Sequence, residues 1–133
     1  MTEQEKINVF LSGTSFAVVG ASQDRRKYGN KVLRSYLQND RKVYPVNPKV
    51  VEVEGLTTYP DLVSLPERVH GVSIVTPPAI TESVVEQAAR SHIQYLWMQP
   101  GAESAAAVER AEALGINVIA GGACILVVQG YHE

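Results

Sequence analysis

The stretch FAVVGASQDRRKYGNKV, beginning at Phe16, joins an apolar run, a glycine, a serine and four cationic side chains within little more than one supersecondary unit. Arg25, Arg26 and Lys27 stand just ahead of a segment with helical periodicity, where a helix N-terminus already favours negative charge. Gly20 lets backbone approach a ligand closely, Ser22 offers a hydroxyl, and the helix that follows offers free N–H groups, so the expected chemistry is binding of an anion, phosphate above all. The competing reading is a tight turn at Gly20 followed by solvated surface cations. The position directly after an apolar strand favours phosphate.

Nearly every other chemically unusual stretch also follows a strand pattern: Asn47-Pro48-Lys49, Thr76-Pro77-Pro78, Gln99-Pro100-Gly101 and Gly121-Gly122-Ala123-Cys124. A dinucleotide is the first candidate for such loops, but the G-x-G-x-x-G fingerprint is absent, since the chain reads Gly20-Ala21-Ser22-Gln23-Asp24-Arg25. No ribose-binding acid stands at the end of the second strand, where Asn47, Pro48 and Lys49 are found instead. A lysine there disfavours NAD and favours a ligand with an extra ribose phosphate, either NADP or coenzyme A; the alternative is an exposed turn lysine.

Groups that could carry catalysis are few. His70 precedes a strand, His92 follows a helix and His132 lies near the end of the chain, none in a recognisable catalytic setting. Glu82, Glu86 and Glu103 belong to helix faces or first turns, and no cluster has metal-ligand spacing. Cys124 is the one side chain that could react, by exchange with a bound thiol, although free cysteines are commonly buried and inert. Trp97 and Met98 read as core, while Tyr28 and Tyr44 could serve either the core or a ligand.

The elements that must position these loops alternate. Residues 2–12 form an amphipathic helix, and SFAVVG is a strand buried on both faces. Residues 28–39 carry a helical stripe of Val32, Leu33, Tyr36 and Leu37. KVYPV, GVSIV, QYLWM and INVIA supply four further strands, with helices over 79–91 and 103–114, the latter ended by Gly115. Ser64 to Glu67 offers a capping box for one more short helix. This alternation predicts an α/β fold with a doubly wound, mainly parallel five-stranded sheet of Rossmann type, in the strand order 3-2-1-4-5. That order puts the topological switch point between the first and fourth strands, within reach of all five loops.

At 133 residues with net charge −2, the chain is expected to form one domain over 1–133, with an N-terminal helix in 1–13, a core in 14–126 and a tail in 127–133. The charge gives no overall attraction to nucleic acid or anionic membrane, and no apolar stretch approaches the length of a membrane span. One cysteine and no secretory signal pattern predict a reducing, cytoplasmic setting.

VVGAS followed by KYGNKVLRSYL, then VYPVNPK, a strand ending in a proline pair, GAES and a late glycine–cysteine segment resembles the small single-domain CoA-binding proteins, whose fold is similar to the CoA-binding domain of the succinyl-CoA synthetase α subunit. The likeness runs over about residues 14–126. It implies that Gly20, Ala21, Ser22 and Lys27 hold the diphosphate. Asn47, Pro48 and Lys49 would then lie by the adenosine and its 3′-phosphate, Thr76, Pro77 and Pro78 would wall the adenine, and Gln99, Pro100, Gly101 and Ala102 would line the pantetheine path toward Cys124. Relatives often carry an arginine before the late cysteine and an acid after it; GGACILVVQG has neither, which separates the fifth-strand loop from any shared chemistry.

The expected function is binding of coenzyme A, free or acylated, without catalysis of its own. The expected partner is a separate enzyme or a second copy of the chain. An oxidoreductase-like NADP-binding domain and a ligand-free interaction module are the alternatives, because this architecture hosts many functions.

Overall fold

The computed structural model describes residues 1–133. In chain order the first half holds α1 (Glu3–Leu11), β1 (Ser15–Val19), α2 (Tyr28–Gln38), β2 (Lys42–Val46), β3 (Glu52–Val53) and β4 (Leu56–Thr57). The second holds β5 (Gly71–Ile74), α3 (Pro78–Arg90), β6 (Tyr95–Met98), α4 (Ala105–Ala113), β7 (Asn117–Ile119) and α5 (Ile125–Val128). Five of the strands form one parallel sheet flanked by helices, a Rossmann-like α/β architecture, while β3 and β4 make a small antiparallel hairpin.

Strict alternation along the strands divides the core. Phe16 and Val18 of β1 pack with Trp97 under α1, α2 and α5, alongside Phe10, Leu33, Tyr36 and Ile125. Ala17 and Val19 turn the other way with Val72, Ile74, Leu96 and Met98, beneath Val84, Val85 and Ala88 of α3 and Ala107 and Ala111 of α4. Trp97 and Met98 are thus core residues. α1 begins with a reciprocal capping box, in which Thr2 Oγ1 accepts from the Glu5 N–H and Glu5 accepts from the Thr2 N–H. No helix is long and apolar enough to cross a membrane.

The strand order corrects the sequence expectation. It is β2-β1-β5-β6-β7, or 2-1-3-4-5 counting only the long strands, in place of 3-2-1-4-5. Pro45 is one cause: it has no N–H to give to a neighbour, which suits β2 to the sheet edge. Tyr59 then covers that edge, donating to Pro45 O at 3.1 Å and accepting from Asn47 N at 2.9 Å. The next long strand, β5, therefore enters on the other side of β1, and the switch point falls between β1 and β5.

The capping box expected at Ser64–Glu67 does not form, and the segment is turn and bend. Asp61 takes both the Ser64 N–H and hydroxyl, at 2.8 and 2.7 Å, while the Glu67 carboxylate is engaged by Tyr44 and Lys42. The C-terminal residues lie against α2. Ile125–Val128 is helical, and Glu133 reaches Lys31 of α2 at 3.1 Å.

Candidate functional site

A cavity of about 760 Å³ opens at the carboxyl ends of β1, β2 and β5, at the switch point. Its wall includes Gly20, Ala21, Ser22, Lys27, Asn47, Pro48, Lys49, Thr76 and Pro77, drawn from three loops far apart in sequence. Pro78 begins α3 beside it, outside the wall.

The loop after β1 is built around two glycines. Gly20 has φ +96°, and a Cβ there would stand 2.1 Å from the backbone oxygen of Val75. The glycine thus lets β1 turn tightly against the end of β5, so the close approach it serves is to protein backbone. Gly29, in the first turn of α2, has no room either: its Cβ would lie 2.0 Å from Gly20 O, so the helix start rests directly on the loop. Lys27 caps α2 by position but makes no side-chain cap, and the N–H groups of Ala21, Ser22, Tyr28, Gly29 and Asn30 find no acceptor within the chain. This is a cradle of donors at a helix N-terminus.

The cations divide by partner. Arg26 forms a two-point pair with Asp24, at 3.1 Å for both bonds, and holds the Asp24 carboxyl down to about 2. Arg25 meets Glu54 at 3.3 Å. Lys27 and Lys49 line the cavity and form no ion pair. The positive charge left for a ligand is therefore carried by these two lysines and the helix end, with Arg25 and Arg26 neutralised by their neighbours.

Asn47 is occupied in bracing loops. Its Oδ1 accepts from Lys49 N and its Nδ2 donates to Ala21 O, each at 2.8 Å, which locks the β2 loop to the β1 loop. Thr76 pairs its hydroxyl with that of Thr81 at 2.8 Å, leaving Pro77 and the Val75 side chain as apolar wall.

The loops after β6 and β7 stand apart from the cavity. Gln99 has no exposed surface: its Oε1 accepts from Ile125 N at 2.9 Å and from Tyr28 Oη at 3.3 Å, so it ties α5 and α2 to β6. Pro100 and Gly101 are exposed and Ala102 is buried, and none of them borders the cavity. Cys124 is half-buried, with its sulfur 2.8 Å from the Tyr28 hydroxyl. Burial, followed by that contact, pushes the Tyr28 hydroxyl well above its ordinary value. Tyr28 also lines the cavity, so it is the residue through which Cys124 communicates with it.

Gly29, Pro60, Ile80, Ser83 and Gln87 line the wall without having been singled out in the sequence, as do the strand-end and helix valines Val19, Val46, Val75 and Val84, while Tyr28, open between core and ligand in the sequence, lines it too. Ile80, Ser83, Val84 and Gln87, at i, i+3, i+4 and i+7, mark one stripe of α3, on which Ile80 is 50% exposed. Gly29 had a signal in its place, a glycine in the first turn of a helix, where it otherwise weakens the helix.

Residues 14–130 match the CoA binding domain family, and the chain belongs to that family. The ADP-forming acetate–CoA ligase I of Archaeoglobus fulgidus is 35% identical over 78 residues, which cover 59% of this chain but only 11% of that one. A hypothetical protein from Pyrococcus horikoshii OT3 superimposes with a TM-score of 0.89 at 28% identity, covering 96% of this chain and 89% of its own. The apo dinucleotide-forming acetyl-coenzyme A synthetase 1 of Ca. Korarchaeum cryptofilum gives a TM-score of 0.70 at 30% identity, covering 79% of this chain and 25% of its own. The chain thus spans about a tenth of the curated ligase it matches and a quarter of the synthetase.

Proposed function

We propose that this protein binds coenzyme A, free or acylated, in the cavity at the β1–β5 switch point. Membership of the family supports the ligand class. The observation that carries the reading is the pairing of two un-neutralised lysines, Lys27 and Lys49, with the open N–H groups of the β1 loop and α2 on one cavity wall. The diphosphate sits on the donors of Ala21, Ser22 and Gly29 beside Lys27, and the ribose phosphate sits by Lys49. Prolines 48 and 77 wall the adenosine. The pantetheine arm leaves past Tyr28 toward the loops of β6 and β7, bringing its thiol end to the neighbourhood of Cys124.

In this reading a separate enzyme or a second copy of the chain would act on the bound thioester. The free thiol suits a reducing, cytoplasmic compartment. Titration calorimetry with CoA, dephospho-CoA and NADP tests the reading. CoA binding tightest, ahead of dephospho-CoA by about tenfold, is expected from one charge-assisted contact at an exposed lysine. NADP binding tighter than CoA, or no binding of any of the three, overturns it.

A further inference from the structure

Besides the lysines and the open N–H groups, the cavity wall carries apolar residues and two polar side chains whose hydrogen bonding is set by neighbours. Pro48, Pro60 and Pro77 line it together with Ile80 and Val84 of α3. The prolines contribute rigid walls with no N–H to donate. Asn47 and Thr76 have their polar atoms engaged within the protein. Hydrogen bonding at this wall therefore falls to Ser83 and Gln87, one turn apart on the same face of α3.

The state of each is decided by a neighbour. Gln87 Oε1 accepts the backbone N–H of Leu62 at 3.1 Å. Only the oxygen of the amide can face that donor, so the NH₂ group turns away from Leu62; it has no partner in the chain and is left for the cavity. Ser83 Oγ donates its proton to Ile80 O at 2.8 Å, which leaves its lone pairs facing outward. The wall thus presents an acceptor at Ser83 and a donor at Gln87.

We infer that Ser83 and Gln87 read the edge of the nucleobase and select adenine, an inference that rests on the CoA reading above. The adenine edge offers an exocyclic N–H donor beside a ring-nitrogen acceptor, the complement of this pair. A 6-oxo purine places an acceptor where adenine has its amine, so that oxygen would meet the Ser83 lone pairs. Ile80, exposed although it belongs to an otherwise well-packed helix, supplies the aliphatic surface on which the base lies.

The test compares CoA with its deaminated, hypoxanthine-containing analogue by calorimetry, on the wild type and on Gln87→Glu and Ser83→Ala, with melting temperature as the check on folding. Gln87→Glu keeps an oxygen for Leu62 N–H and replaces the free donor by an acceptor. The wild type should prefer CoA by about tenfold, as a site that leaves a polar group unpaired rejects the wrong ligand. Gln87→Glu should lose about tenfold for CoA. Ser83→Ala should strengthen binding of the analogue and narrow the preference. If the wild type binds both ligands equally, or the folded Gln87→Glu variant keeps wild-type affinity for CoA, base reading by this pair is overturned while CoA binding stands. If neither ligand binds the wild type, the parent reading fails as well.

Discussion

At the scale of single residues, Gly20 and Lys49 serve different purposes despite flanking one cavity. Lys49 is exposed, takes no partner and holds its place through the Asn47 brace on its own N–H. Lys49→Ala should leave the melting temperature unchanged and abolish the roughly tenfold preference for CoA over dephospho-CoA, and a preference that survives the change would move the ribose phosphate elsewhere. Gly20 is a matter of backbone. The sequence suggested that Gly20 lets backbone approach a ligand closely, but the structure directs a Cβ at Val75 O, 2.1 Å away, with φ at +96°. Gly20→Ala should therefore destabilise the fold itself, lowering the melting temperature by about 6 °C or more, since positive φ and a backbone clash act together. A Gly20→Ala protein that melts like the wild type would show that the β1–β5 junction relaxes freely.

At the scale of elements, the cavity depends on α2 beginning where it does. Gly29 brings the first turn of α2 onto the β1 loop, and Asn30 and Arg34 hold it there: Asn30 Nδ2 donates to Ser22 O at 2.8 Å, while Arg34 donates to Asn30 Oδ1 and to Arg25 O, both at 2.7 Å. Gly29→Ala would push the helix end off the loop, so CoA affinity should fall by about tenfold or more alongside a loss of stability; thermal melting and calorimetry on the same preparation separate the two effects. An alanine variant with wild-type affinity would mean that the helix N-terminus does not meet the ligand. How far such elements were legible depends on the range of the forces that set them. The five strands of the parallel sheet and four of the helices follow from local periodicity, as with Val32, Leu33 and Tyr36 in α2, whereas the two-residue strands of the β3–β4 hairpin are too short to show one. Strand order depends on non-local pairing, yet Pro45 carried a local signal that β2 belongs at an edge. The short helix at Ser64–Glu67 was lost to Asp61, a nearer acceptor for the Ser64 N–H, and nothing in local periodicity announces that competition.

At the scale of the whole molecule, the doubly wound sheet converts three distant loops into one wall, and that much was legible because unusual residues clustered after strands. Which loops meet was not, since moving the switch point from the fourth strand to the third leaves Gln99–Gly101 and Cys124 outside the cavity. The same sheet buries Tyr36 completely, its hydroxyl 2.7 Å from Ser73 Oγ and its ring against Phe16 at 5.1 Å. Burial pushes the Tyr36 hydroxyl far above its ordinary value, and burial together with the Cys124 contact does the same to Tyr28. A group whose folded value is raised contributes stability that is present below its unfolded value, about 10 for tyrosine, and is lost as pH rises above it, because only the unfolded chain then releases the proton. Lys42 and Tyr44, raised chiefly by their bonds to Glu67, act in the same direction at the surface, so the wild-type profile alone does not isolate the core. Urea unfolding between pH 8 and 11.5 should show stability level to about pH 9.5 and then falling, with Tyr36 contributing about 1.4 kcal/mol per pH unit once the unfolded chain is ionised. Tyr36→Phe should start less stable, having left Ser73 without its strongest partner, and should fall more gently by about that slope. A phenylalanine variant with the wild-type slope would show that Tyr36 ionises in place, and that the centre of this sheet is far more open to water than its packing implies.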